Sequence, residues 1–210
     1  LYFADADLYL NQLRGRSFVS TRPGLSLNDR VLWMSRYAFL DRGNRWWILT
    51  NNKLYRFGRA SDRNPMATYT SRDGLKADAM FQIFEDSKGQ IWVSAGALDS
   101  DSEHHGLGRF DPANNRFRNF NESEGFPGKI VSSFAEQRDG TLWFGFYEGG
   151  LARFKNNQFS TVSSIDLPGG VITDLLIDHA DRLWMSSSGG GVRFVENPGA
   201  DSLNFTRLTT

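Results

Sequence analysis

The residues best equipped for chemistry cluster in one stretch, Ala97-Leu98-Asp99-Ser100-Asp101-Ser102-Glu103-His104-His105-Gly106. Asp99, Asp101 and Glu103 set hard oxygen ligands at alternate positions, which suits Ca²⁺. His104 adds an imidazole, the ligand of a transition metal. The stretch departs from an EF-hand loop, since counting from Asp99 no Gly stands sixth and no Glu twelfth. His104 and His105 point to opposite sides of an extended segment. A solvated polar loop accounts for the same residues. A second candidate is Phe146-Tyr147-Glu148-Gly149-Gly150. There an aromatic ring and a carboxylate beside glycines can stack on and hydrogen-bond a sugar. A tight hairpin turn is the competing reading. No nucleophile elbow, phosphate loop, zinc-helix motif or dinucleotide fingerprint occurs. His179 reads as an exposed turn residue, and Gly189-Gly190-Gly191 opens no helix that would hold an anion.

The elements that must position these residues form a repeat. Trp47, Trp92, Trp143 and Trp184 stand 45, 51 and 41 residues apart. That period is too long for a coiled coil and fits a propeller blade. Each Trp follows a polar turn: Asp41-Arg42-Gly43-Asn44, Asp86-Ser87-Lys88-Gly89, Arg138-Asp139-Gly140 and His179-Ala180-Asp181. Each precedes an Arg-Phe pair, at Arg56-Phe57, Arg109-Phe110, Arg153-Phe154 and Arg193-Phe194. An apolar segment lies before the turn (Tyr37–Leu40, Met80–Phe84, Val131–Ala135, Ile172–Ile177). A short aromatic or β-branched one follows Arg-Phe (Ala67–Thr70, Arg116–Phe120, Gln158–Val162, Asn204–Leu208). Four strand signals joined by tight turns make one antiparallel sheet. Such a sheet buries both faces only by stacking on its neighbours. The recurring Trp and Phe are therefore interblade core, and the recurring Arg is structural.

The fold class expected is all-β: a β-propeller of four-stranded antiparallel blades, with about five blades in view. The boundaries are 1–22 for a partial first blade, then 23–72, 73–123, 124–166 and 167–210. The first copy keeps only Leu1–Ala4 and Leu8–Leu10, with Tyr2 at the Trp position, and lacks its innermost strand. With the acidic start and no initiator Met, this suggests a piece of a larger propeller. The turns after the Trp strands should share one face around the axis. That geometry would gather Asn51, Asn52, His104, His105, Tyr147, Glu148 and Ser187 at one mouth as ligand-binding candidates. The metal candidates are Asp99, Asp101, Glu103 and His104.

Composition narrows the partners. Lys and Arg total 24 against 24 Asp and Glu, so no net field draws nucleic acid or an acidic membrane. There is no Cys, which excludes disulfides and thiolate metal sites. No apolar run approaches the roughly 18 residues of a membrane span.

The phrase Glu85-Asp86-Ser87-Lys88-Gly89-Gln90-Ile91-Trp92-Val93, the Gly-Leu-x-Arg-Phe pattern and the linking Asp73-Gly74-Leu75 resemble the two-component regulator propeller repeat. The resemblance covers nearly the whole chain. It departs at the fifth turn, where Ala180-Asp181 replaces Gly, and at the insertion in the third copy. It implies a periplasmic or extracellular sensor region of a bacterial inner-membrane receptor, non-catalytic in itself. A histidine kinase, diguanylate cyclase or DNA-binding output would lie elsewhere in the parent protein. The implied ligand is an extracellular small molecule or oligosaccharide. The other implied partners are neighbouring domains or a second propeller chain. No cofactor is expected beyond Ca²⁺ at the third-copy loop. Two other functions stand beside this one: a propeller lyase resembling the streptogramin B lyases, and a pure interaction scaffold.

Overall fold

The computed structural model describes residues 2–4, 9–25, 29, 38–76, 80–96, 106–162, 167 and 169–208. The described residues form five antiparallel meanders in chain order. The first holds β1 (Tyr2–Ala4), β2 (Leu10–Arg14) and β3 (Ser17–Thr21). The second holds β4 (Ala38–Leu40), β5 (Trp46–Leu49), β6 (Leu54–Phe57) and β7 (Ala67–Tyr69). The third runs through β8 (Met80–Glu85), β9 (Ile91–Ala95), β10 (Gly106–Asp111) and β11 (Arg116–Phe120). The fourth has β12 (Val131–Glu136), β13 (Leu142–Phe146), β14 (Leu151–Lys155) and β15 (Gln158–Val162). The fifth has β16 (Ile172–Ile177), β17 (Leu183–Ser187), β18 (Gly191–Val195) and β19 (Thr206–Arg207). The opening strands β4, β8, β12 and β16 lie against one another, as blades meeting around an axis require.

Burial explains why the second strands are so apolar. Every residue of β5, β9 and β13 is buried, because a neighbouring sheet covers each face. Trp47 packs with Ile83, Ile91, Val93 and Phe110 of the third sheet. Trp92 packs with Leu142, Phe144 and Phe154 of the fourth, and Trp143 with Leu175, Leu183 and Met185 of the fifth. Along β17 burial alternates: Leu183 and Met185 are buried against the fourth sheet, while Trp184 on the other face is half-buried.

A second device links the sheets at the turns. In each of Trp47, Trp92, Trp143 and Trp184 the indole Nε1 donates to the residue six positions earlier. The distances are 2.8 Å to Asp41, 2.9 Å to Asp86, 2.9 Å to the Gln137 amide oxygen and 2.7 Å to Asp178. The same carboxylates accept backbone N–H groups of their own turns. Turn then joins turn across sheets. Arg42 N–H donates to Glu85 at 3.0 Å, Ser87 N–H to Glu136 at 2.6 Å and Arg138 N–H to Asp181 at 3.1 Å. The fifth turn thus compensates for its missing glycine. Asp181 takes the left-handed conformation (φ 64°) that Gly89 and Gly140 take elsewhere, and its carboxylate supplies the intersheet bond. His179 is exposed, as expected, and its carbonyl accepts from the Arg138 guanidinium.

The structure corrects two readings. The first copy has a further strand, β3, and its second strand is Leu10–Arg14 rather than Leu8–Leu10. The polar composition of Ser17-Phe18-Val19-Ser20-Thr21 masks a strand whose residues are nearly all exposed. The three-stranded first sheet otherwise agrees with a copy short of one strand, and Tyr2 lies opposite Gln12. In the fifth copy the Arg-Phe alignment slips by one residue. Trp47, Trp92 and Trp143 lie opposite Arg56, Arg109 and Arg153, whereas Trp184 lies opposite Phe194. A one-residue slip moves every side chain to the other face. Arg193 therefore lies opposite Met185, and Phe194 stacks on Trp184 at 4.7 Å. Arg182, paired with Asp178, covers that indole instead.

One turn carries a pH signature. The ion pair with Lys155, at 2.8 Å, holds the Asp139 carboxyl down at about 2. The stabilisation is complete above the unfolded value near 3.8 and disappears as pH falls through about 2. Both side chains are half exposed, so the contribution is small. Substituting Lys155→Met should flatten the loss of stability between pH 4 and pH 2 in urea titrations and leave pH 7 stability nearly unchanged. An acid limb as steep as the parent's would show that Asp139 carries none of it.

Candidate functional site

The turns that follow the second strands all lie at one end of the sheets, because each meander runs in the same order and direction. That end carries Asn51 and Asn52 between β5 and β6, Tyr147 and Glu148 between β13 and β14, and Ser187 at the end of β17. The candidates Asp99, Asp101, Glu103, His104 and His105 lie outside the described residues. Shared placement at one end is therefore what the structure shows of the expected mouth.

The local chemistry at this end is polar and partly buried. The β5–β6 turn is closed by Thr50 N–H donating to the Lys53 carbonyl at 2.8 Å. The Lys53 ammonium meets Asp29 at 3.2 Å, and the Tyr55 hydroxyl donates to the other Asp29 oxygen at 2.8 Å. Hydrogen bonding to Tyr55 and then to Asp29 raises the Lys53 pKa, so it stays an ammonium. Burial, more than the bond to Asp29, raises the Tyr55 pKa and keeps the phenol protonated. Asp29 is itself buried, and the Lys53 and Tyr55 donors each meet one of its oxygens.

In the fourth sheet the Glu148 carboxylate accepts from Ile130 N–H at 3.3 Å, and Tyr147 N–H donates to the Ile130 carbonyl at 2.9 Å. Glu148 is exposed while Tyr147 is half-buried. The Lys129 ammonium donates to the Gly149 carbonyl at 3.0 Å and lies 5.8 Å from the Phe146 ring centre. In the fifth sheet the Ser188 hydroxyl accepts from Val171 N–H at 3.1 Å. Asn51 Oδ1, Ser133 Oγ and Ser187 Oγ are buried polar atoms without a hydrogen-bond partner among the described residues.

The sequence reading missed Asp29, Lys53, Tyr55 and Lys129. Only the alternation of Lys53 and Tyr55 at the start of β6 hints at them, and Asp29 stands outside the repeat phrase. Among the described residues no group of three His, Cys, Asp or Glu side chains is placed to hold a metal ion. No helix among them is long and apolar enough to cross a membrane.

No protein-family model matches the chain, and no curated protein matches it. Solved structures do. The extracellular domain of the hybrid two component system BT3049 from B. thetaiotaomicron superposes with a TM-score of 0.69 at 19% identity, over 92% of this chain and 27% of that one. Virginiamycin B lyase from Staphylococcus aureus gives 0.69 at 15% identity, over 97% of this chain and 64% of that one. PorZ, a bacterial surface component of the type-IX secretion system of Porphyromonas gingivalis, gives 0.67 at 11% identity, over 99% and 32%. The chain thus spans about a quarter of the two-component domain. At these identities the likeness is one of fold: the chain is a run of β-propeller blades similar to those in the extracellular domains of hybrid two-component systems.

Proposed function

We propose that the chain is an extracytoplasmic, ligand-sensing segment of a bacterial two-component-type receptor, and that it performs no chemistry itself. The observation that carries this reading is the end of the sheets just described. That end carries Asn51 Oδ1 and Ser187 Oγ, buried without partners among the described residues, together with the Lys53–Asp29–Tyr55 cluster and the Tyr147-Glu148 turn. Buried polar atoms of this kind call for a complement. The amides, hydroxyls and aromatic edge available suit a polyhydroxylated ligand such as an oligosaccharide. The likeness in fold to extracellular domains of hybrid two-component systems supports the location and the role.

The lyase reading rests on the fold it shares with virginiamycin B lyase, for which a histidine-to-alanine variant is described as catalytically inactive. This chain has three histidines. The one described, His179, is exposed in a turn at the opposite end of the sheets.

The test is a panel of oligosaccharides screened by thermal shift and confirmed by calorimetry. An oligosaccharide that binds the parent should lose at least about tenfold in affinity when Tyr147→Ala and Glu148→Gln are combined. Retention of full affinity would remove the Tyr147 end as the site. Turnover of any member of the panel would overturn the non-catalytic reading.

A further inference from the structure

The three sheet junctions that carry a Trp–Arg pair are built alike but covered differently. In the second sheet Arg56 lies 5.4 Å over the Trp47 ring and 5.6 Å over Tyr69. The Tyr69 hydroxyl then bridges to Asn115 Oδ1 of the third sheet at 2.8 Å, across the junction. In the fourth sheet Arg153 Nη1 reaches the Ala200 carbonyl of the fifth at 3.2 Å. Arg109 of the third sheet has the same stacking, 5.4 Å over both Trp92 and Phe120. Like Arg56, it has no hydrogen-bond or ion-pair partner for its guanidinium among the described residues, but where Arg56 Nε is buried, no Arg109 nitrogen is.

The cause is local and twofold. Phe120 stands opposite Leu107 as Tyr69 stands opposite Leu54, so the hydroxyl that would cross the junction is missing. The facing hairpin between β14 and β15 is also the shortest of the three. It is the two-residue turn Asn156-Asn157, both left-handed (φ 52° and 61°), where the third sheet has Pro112–Asn115 and the fifth has 196–205. The junction is left with a cleft of about 300 Å³, lined by Arg109, Lys88, Gln90, Asn156 and Asn157. It opens at the end of the sheets opposite Tyr147 and Glu148.

The acidic groups of this cleft are already engaged. Asp86 accepts from the Trp92 indole and two backbone N–H groups, Glu136 from Ser87, and Asp139 from Lys155 and Thr141. Among the donors Lys155 is paired with Asp139, while the side chains of Arg109, Lys88, Gln90, Asn156 and Asn157 make no hydrogen bond among the described residues. Arg109 is half-buried, yet none of its unpaired guanidinium nitrogens is buried, so they face the solvent of the cleft.

We propose that this cleft binds a small hydroxylated monocarboxylate, its carboxylate on the edge of Arg109 and its hydroxyls on the carboxamides of Gln90, Asn156 and Asn157. The Arg109 guanidinium, placed over Trp92 and Phe120, offers a planar fork of donors that matches a carboxylate. Asp86, Glu136 and Asp139 on the cleft wall offset the charges of Lys88, Arg109 and Lys155, so no net positive field holds a dianion such as phosphate or sulfate.

The probe is gluconate, titrated calorimetrically into the whole chain at low salt, with inorganic phosphate as the comparison. The parent should bind gluconate with a Kd of about 1 mM or tighter, and phosphate at least about tenfold more weakly. Arg109→Gln should weaken gluconate by at least about tenfold. Asn157→Gly keeps the left-handed turn while removing one amide, and should weaken it about threefold. Absence of gluconate binding overturns the proposal, as does equal binding of phosphate. Unchanged affinity in folded Arg109→Gln overturns it too. Should Arg109→Gln fail to fold, unchanged affinity in Asn157→Gly does the same.

Discussion

Replacing Trp92 by alanine should cost about 4–5 kcal/mol, enough to bring the chain close to unfolding at 25 °C. Two losses combine. The fully buried indole sits stacked on Phe120 at 5.4 Å and edge-on to Phe154 at 5.3 Å, and its removal leaves a cavity between two sheets. It also strands the buried Asp86 carboxylate, which loses its indole donor. Trp92→Phe separates the two terms, since it keeps most of the volume and still removes the donor to Asp86 Oδ2. Its expected cost is about 1–3 kcal/mol. Trp184 makes the same indole bond but has a half-buried face, so Trp184→Ala should cost roughly 1–2 kcal/mol. Urea midpoints with unchanged slopes measure all three. Equal losses at Trp92 and Trp184 would mean that the intersheet cluster contributes little.

Gly74→Ala is the second large effect, expected at about 3 kcal/mol. Gly74 ends a single 3₁₀ turn, Ser71–Asp73, whose cap is Thr70 and whose Asp73 carboxylate accepts back from Thr70 N–H at 2.9 Å. At φ 90° the residue is left-handed, and an added Cβ would lie 2.1 Å from the Phe117 carbonyl oxygen of the third sheet. Backbone cannot yield as a side-chain end can, so Leu75 would be pulled from the cluster around Trp47. Gly140 is the control. It has φ 81° with nothing within 4 Å of the added atom, so Gly140→Ala carries the torsional cost alone, about 1 kcal/mol. Two equal values would show that the contact with Phe117 relaxes freely.

Much of the architecture is legible in the chain because each blade repeats it. The Trp positions, the Asp-rich turns and the Asp73-Gly74-Leu75 step each mark a load that every sheet must carry. What the repeat hides is what side chains do to the next blade. Glu85, Glu136 and Asp181 accept from the neighbouring turn, and only superposed copies would place a carboxylate at that site when its sequence offset changes. The slip in the fifth copy is hidden for a related reason. Arg193-Phe194 mimics the phrase, but strand pairing is decided by turn length counted from Trp184. At the Tyr147 end the turn itself was visible, while Asp29 was not, because it joins Lys53 and Tyr55 through space. The Arg109 cleft is a difference between equivalent positions, a Phe for a Tyr and two residues for four. Such an exchange looks conservative when each copy is read alone.

Each apolar cluster straddles two sheets, so the unit that holds together is the joint between neighbours and not the meander that the chain traces. A duplication or deletion of one full repeat, cut at any equivalent point, adds or removes one sheet and one joint together. Copy number can therefore drift during evolution without inventing a new interface. Each surviving joint remains free to accumulate its own exceptions, as the one between Trp92 and the Asn156-Asn157 hairpin has done.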